Sequence, residues 1–436
     1  MHQNNEDHGR RPGSYLKRIT QQIGVNRMVF ALSMARLADA LGNSILFIII
    51  PLYVDYLPAP FIRFPEVVRV GVLIALYGLV NSFLQPFTGA LSDRFGRRKL
   101  FIQIGLIVMG ACTLLFILAS SFSTLLFLRA FQGIGVALTV PASMALMAAG
   151  TQKDTRGGSM GIYTTMRMVG FSLGPLIGGF LQINFGFPAV FITGAGLVFL
   201  GVLLVQFLVN DIPSLETTPK KHRFRIIDPA LIEMGLISVG IATFIMSAAF
   251  SMMTTLETQF NERLDQTVVG FSIAFSALMV SRLFFQIPLG RLSDRIGRKP
   301  LILAGLILMI PATALLGVVT SIYQLTGLRI LQGIASAGIA APAFALAADL
   351  AKRGGEGRQM GVITMSFALG IALGPLIAGI LALVSFELPF LVGGLLALVG
   401  VLIVIRFTPE TVPGRNKILP FKSPIKLSRH HDREEL

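Results

Sequence analysis

The sequence predicts an all-α integral membrane protein with twelve transmembrane helices in two pseudo-symmetric six-helix bundles. Three observations carry this expectation. Of 436 residues, 53% are hydrophobic and only 14% are charged, with a mean hydropathy of +0.74, whereas water-facing domains carry about 25% charged residues. Apolar runs of about 20 residues, the length that crosses a bilayer, alternate with short polar segments. Blocks of the first half recur in the second at a nearly constant offset. Such a composition excludes a soluble enzyme, a disordered chain and a nucleic-acid module.

The apolar runs place the spans at about 28–53, 70–91, 100–120, 124–147, 160–182, 187–209, 231–255, 268–290, 300–320, 323–347, 360–383 and 387–407. They are continuous and rich in Leu, Ile, Ala and Gly, without the alternation of a membrane β-strand. The chain therefore divides into an N-terminal segment 1–27, a first bundle 28–209, a linker 210–230, a second bundle 231–407 and a tail 408–436. No cleavable signal peptide is expected, because the first 27 residues are polar and the first apolar run has full span length. Within them, Tyr15, Leu16, Ile19 and Ile23 fall at helical spacing, as in a short interfacial helix. Cys112 is the single cysteine, so no disulfide framework exists.

The net charge of +15 is a matter of topology. Lys and Arg gather in alternate segments: Arg94, Arg97, Arg98 and Lys99, then Lys220, Lys221, Arg223 and Arg225, then Arg291, Arg295, Arg298 and Lys299. The intervening loops offer only Arg63, Arg69 and Arg263. By the positive-inside rule both termini lie in the cytoplasm, as expected for a multi-pass protein of an inner or plasma membrane.

Three repeats define the halves. GALSDRFGRRK at 89–99 recurs as GRLSDRIGRKP at 290–300, LRAFQGIG at 128–135 as LRILQGIA at 328–335, and GFSLGPLIGG at 170–179 as GIALGPLIAG at 370–379. At these blocks the sequence resembles the major facilitator superfamily, over about residues 28–407. Within it, the chain is most similar to the twelve-span drug/proton antiporters. The resemblance implies two bundles that rock about a midplane site, opening it to each side in turn.

Gly89, Asp93, Arg94, Gly96 and Arg97 match the family's loop between spans 2 and 3. The resemblance implies a latch that holds the cytoplasmic side closed in the outward-open state, with Asp294, Arg295 and Arg298 as its second copy. A merely topogenic basic loop is the alternative. Arg129 and Gln132 resemble the family's span-4 motif, which is linked to proton transfer; their recurrence as Arg329 and Gln332 also suits a shared structural role, and partial snorkelling would explain Arg129 as well. Gly170, Gly174, Pro175, Gly178 and Gly179 resemble the motif of the antiporter branches. There Pro175 lacks an N–H and kinks the helix, and the glycines are expected to pack across the interface between halves.

Some charges are not explained by packing. Arg36, Asp39 and Asn43 fall at i, i+3 and i+7 on one face of span 1. Asp39 is the acidic residue nearest the middle of any predicted span, whereas Glu233, Glu257, Asp349 and Glu387 fall near predicted ends. A midplane carboxylate marks a functional site by default, so Asp39, with Arg36 and Arg129, is expected to couple protons. A structural Arg36–Asp39 pair is the alternative. Arg167 and Arg282 have no charged counterpart in the other half, where Phe367 and Asn81 stand. They would line a positive vestibule favouring anionic or zwitterionic amphiphiles, or else snorkel or pair with acids. Asn43, Gln85 and Gln132 complete the expected substrate path.

No histidine falls inside a span, and no metal-ligand spacing, nucleophile–base arrangement or GxxxxGK[ST] stretch occurs. An enzyme and an ATP-driven pump are therefore not expected, and no cofactor is. The expected function is proton-coupled export of small amphipathic compounds by alternating access. The expected partners are a small-molecule substrate, protons and the lipid bilayer, with no nucleic acid, and the expected oligomeric state is a monomer. Alternatives are transport of a specific anionic metabolite or lipid, including uptake, and more remotely a non-transporting receptor or scaffold.

Overall fold

A computed structural model describes residues 26–59, 64–151, 156–211, 233–350 and 356–412. The expected interfacial helix and most of the linker and tail lie outside this range. In chain order the helices are α1 (Arg27–Asp55), α2 (Glu66–Phe95), α3 (Arg98–Leu115), α4 (Phe122–Ala149) and α5 (Arg156–Leu208). After the linker come α6 (Met234–Ser251), α7 (Glu257–Arg263), α8 (Val268–Ile296), α9 (Arg298–Ala314), α10 (Ile322–Asp349), α11 (Glu356–Leu381) and α12 (Leu388–Phe407).

Eleven described segments are apolar and long enough to cross a membrane. One of them, Gly158–Leu208, has 51 residues, about 76 Å of continuous helix at ~1.5 Å per residue. That is more than twice a bilayer's hydrocarbon thickness of about 30 Å. Gly186 breaks it with a φ of +76°, a conformation that favours glycine. The two arms make two spans, and the total is the twelve that the apolar runs predict.

Local sequence sets the helix ends. Asn26 caps α1, its side chain accepting from Val29 N at 2.8 Å. Ser121 caps α4 and Ser321 caps α10, each accepting from the amide three residues on at 3.3 Å, the N-cap geometry that satisfies an orphan donor. Gly96 ends α2 in the left-handed region at φ +64°.

The helices pack by the same plan in each half. In the first, Gly170, Gly174 and Gly178 of α5 lie against α1, and a Cβ at Gly174 would stand 3.0 Å from Leu41 O. In the second, Gly370 and Gly374 of α11 lie against α6. The expected packing of the motif glycines between halves is therefore corrected: three of the four seat α5 on its own half. The period of a helix tells which residues share a face, not which helix that face meets. Gly179 alone reaches across, to Ser272 and Val268 of α8, and Gly379 mirrors it against Val67 of α2.

Three apolar cores describe the shape. On the face opposite the termini one core is shared: Ile49, Phe116 and Phe191 of the first half cluster with Phe260, Phe271 and Phe390 of the second. Toward the terminal face each half keeps its own core, with Leu32, Leu106 and Leu146 in the first and Leu236, Leu306 and Leu346 in the second. The halves are thus sealed on one face and separate on the other. Around the outside Phe127, Phe207, Phe284 and Leu402 stand exposed, a liability in water and an ordinary surface in lipid.

Candidate functional site

Helix α1 carries the first polar cluster. Arg36 and Asp39 are buried, and the Arg36 guanidinium donates to Asp39 Oδ2. This leaves Arg36 Nε, Asp39 Oδ1 and the Tyr163 hydroxyl buried without partners. All three residues line a cavity of about 10 Å³, together with Leu32, Leu106, Thr139 and Ser143, which has room for a single water. One turn on, Asn43 Nδ2 donates to the Tyr77 hydroxyl at 2.6 Å. The Tyr77 ring in turn lies 5.4 Å beneath the Arg129 guanidinium.

Arg129 does not snorkel, because only 4% of it is exposed. It donates to Gln132 Oε1 at 2.9 Å, and Gln132 Nε2 donates to Thr113 at 2.8 Å. The second half repeats this relay: Arg329 donates to Gln332 at 2.8 Å, and Gln332 to Thr313 at 3.0 Å. Arg329 is fully buried and also reaches the carbonyl of Phe250 at 3.1 Å. Two copies of one network tie span 4 to span 3 and span 10 to span 9, with both ends of each glutamine amide engaged.

Arg167 of α5 and Arg282 of α8 approach one ring from opposite halves. Their guanidinium carbons lie 5.8 and 5.3 Å from the centre of Phe367 on α11. Arg282 is 5% exposed, so it does not snorkel either. On α2, Gln85 Nε2 donates to Asn81 Oδ1 at 2.9 Å. The span-7 residues Ser247 and Thr254 donate to carbonyls of their own helix, a common use of such hydroxyls.

At the terminal face the two loop copies turn tightly between helices. Arg94, Arg97 and Arg295 are exposed, and the side chain of Asp93 lies outside the described residues. Asp294 pairs with Arg298, which also meets Asp349 at 3.3 Å. Glu410 accepts from the amides of Arg298 and Lys299 at 3.0 and 3.1 Å, a carboxylate at a helix N-terminus. These contacts all lie within the second half, as suits a face on which the halves stand apart.

Sequence patterning missed one acidic residue. The seventh span does not end near 255; it continues through a 3₁₀ turn, Met252–Leu256, into α7. Glu257 is thereby fully buried, and neither carboxyl oxygen has a partner. No apolar run marks this burial, because residues 252–263, MMTTLETQFNER, mix polar and apolar side chains.

The Major Facilitator Superfamily profile matches residues 32–261 and 235–431. "Multidrug resistance protein 2" of Bacillus subtilis (strain 168) is 26% identical over 350 residues, covering 76% of this chain and 84% of that protein. "Multidrug resistance protein MdtG" of Enterobacter lignolyticus (strain SCF1) is 28% identical over 338 residues, covering 75% and 79%. Among solved structures, a bacterial homolog to human lysosomal transporter Spinster, in an inward-facing and occupied conformation, superposes with a TM-score of 0.69 at 16% identity, over 91% of this chain and 96% of that one.

Proposed function

The chain belongs to the Major Facilitator Superfamily and is a multi-pass membrane transporter, and on that premise we propose that it exports small amphipathic compounds in exchange for protons by alternating access. The Lys/Arg bias supports cytoplasmic termini, which makes the open face the inward one. The multidrug resistance names of relatives such as those of Bacillus subtilis and Enterobacter lignolyticus support export.

The observation that carries the proton-coupled reading is Asp39. It is a carboxyl buried near the middle of its span, with one oxygen held by Arg36 and the other facing a water-sized cavity on the terminal side. Loss of the Arg36 contact makes a buried carboxylate costly and favours a bound proton, whereas restoring it favours release. Both residues stand on α1 and move together when the first half rocks, so the step that changes the contact is a rotamer change of the Arg36 side chain beside the cavity. Asn43 and Tyr77 link the same face to Arg129, so a change at Asp39 reaches span 4. Gln85, Arg167 and Arg282 stand on the side where the halves separate and form the substrate path. The exposed Arg94, Arg97 and Arg295 close that path as a latch when the halves meet.

The test is a reconstituted transporter with a pH-sensitive dye inside the vesicles and an imposed gradient. Compounds that share an apolar body and differ in charge are added in turn. Proton movement that depends on the compound supports antiport. Compound flux with no proton movement at any gradient refutes it.

A further inference from the structure

The central cations are out of balance with the central anions. Arg36, Arg129, Arg167, Arg282 and Arg329 all stand within the spans, and among the described residues the buried carboxyls are Asp39, already bound by Arg36, and Glu257, which pairs with none of them. Arg129 and Arg329 are each held by a glutamine within their own half. Arg167 and Arg282 have no such partner: among the described residues neither makes a hydrogen bond or an ion pair, and Arg282 Nε is buried and unsatisfied. What they share is the Phe367 ring, with Phe171 supplying a second face to Arg167 at 5.4 Å.

Packing holds Arg282 in place. Gly333 of α10 sits against α8 so closely that a Cβ would collide with Leu278 O and stand 3.1 Å from Arg282 N. The backbone that carries Arg282 is therefore closely packed, its guanidinium is buried where an uncompensated charge is expensive, and a cation–π contact offsets only part of that expense. Arg167 faces it from the other half and repels it. Two planar forks converge on one aromatic ring at the junction of the halves, a geometry suited to bidentate capture of an oxyanion.

We propose that Arg167 and Arg282, with Phe367 between them, form the binding site for the anionic group of the transported compound, an aryl or alkyl carboxylate or sulfonate whose apolar body packs on Phe171 and Phe367. Because one cation belongs to each half, the bound anion removes their mutual repulsion and draws the separated faces together. The site rests on the transport reading for its purpose and names the substrate class of that reading. Its chemistry is shared by free organic anions and by anionic lipid headgroups.

The experiment is equilibrium binding to the full chain in nanodiscs, so it does not depend on proton coupling. The probes are 2-naphthoate, 2-naphthamide and 2-naphthyltrimethylammonium, which differ in charge on one aromatic body. The expected result is naphthoate binding at least about tenfold tighter than the other two, lost in Arg282→Gln and Arg167→Gln and only partly kept in Arg282→Lys, which has the charge without the planar fork. Thermal unfolding of each variant without ligand separates a lost site from a lost fold. Nanodiscs with and without phosphatidylglycerol distinguish the sources: competition by the lipid that disappears in Arg282→Gln assigns the site to headgroups, and its absence assigns it to free anions. Equal affinity for naphthoate and naphthamide overturns the proposal, as does naphthoate binding that survives in a folded Arg282→Gln. Failure of proton antiport with naphthoate binding intact would overturn only the coupling.

Discussion

Substituting Gly71 tests the claim that this conformation is held by close backbone contact on the sealed face. A methyl group at Gly71 would stand 2.7 Å from Pro375 O and 3.0 Å from Leu376 Cα on α11. Unstrained contacts lie at about 3.5 Å or more, and the opposing atoms are backbone, which does not rotate away. The Gly71→Ala protein must therefore part α2 from α11 on the face where the halves are joined. Overpacking of this kind costs about 1–3 kcal/mol, and relief comes from the state in which that face is open. An energy of that size shifts a two-state ratio by about 5- to 150-fold. Spin labels replacing Tyr56 and Tyr323, which are 73% and 85% exposed on that face, report the separation in a background lacking Cys112. A second, longer-distance population should grow in Gly71→Ala. An unchanged distance distribution in a variant of normal thermal stability would refute the reasoning.

Four further outcomes follow from the same contacts. Gln332→Leu strips the Arg329 guanidinium of its side-chain partner and should cost about 1–3 kcal/mol, read as a lower unfolding temperature, with Gln132→Leu giving a similar loss. Glu257→Gln removes a buried carboxyl that has no partner and keeps its shape, so the unfolding temperature should hold or rise, whereas a clear drop would reveal a partner. On the surface loop, the hydrogen bond from Arg263 holds the Glu387 carboxyl below its usual range. Its stabilisation is complete above the unfolded value of about 4.3 and fades as pH falls through the lower folded value, so unfolding scans of wild type and Glu387→Gln should differ at neutral pH and converge in acid. Asp39→Asn should abolish the proton-linked step, as developed below.

The two-half architecture was legible because each half carries the same marks. The loop, span-4 and span-5 blocks recur at a nearly constant spacing, and the Arg–Gln pair of the span-4 block forms its relay to a threonine twice with similar distances. What stayed hidden depends on neighbours that no period encodes. The glycines at 170, 174 and 178 announce close approach but not to which helix, and α1 takes the place that the other half was expected to fill. Glu257 looked like a span end because a carboxylate usually is one, yet the chain bends through a 3₁₀ turn and carries it back inside. The convergence of Arg282 with Arg167 on Phe367 likewise needs both halves at once.

The most direct test of proton coupling at Asp39 compares two fluxes in one reconstituted Asp39→Asn preparation. The neutral amide keeps the shape of the carboxyl and cannot exchange a proton. Substrate-for-substrate counterflow, which needs rocking but no net proton, is predicted to continue, while uphill transport driven by a pH gradient falls to the level of empty vesicles. Gradient-driven transport that persists in Asp39→Asn at the wild-type rate would contradict the account.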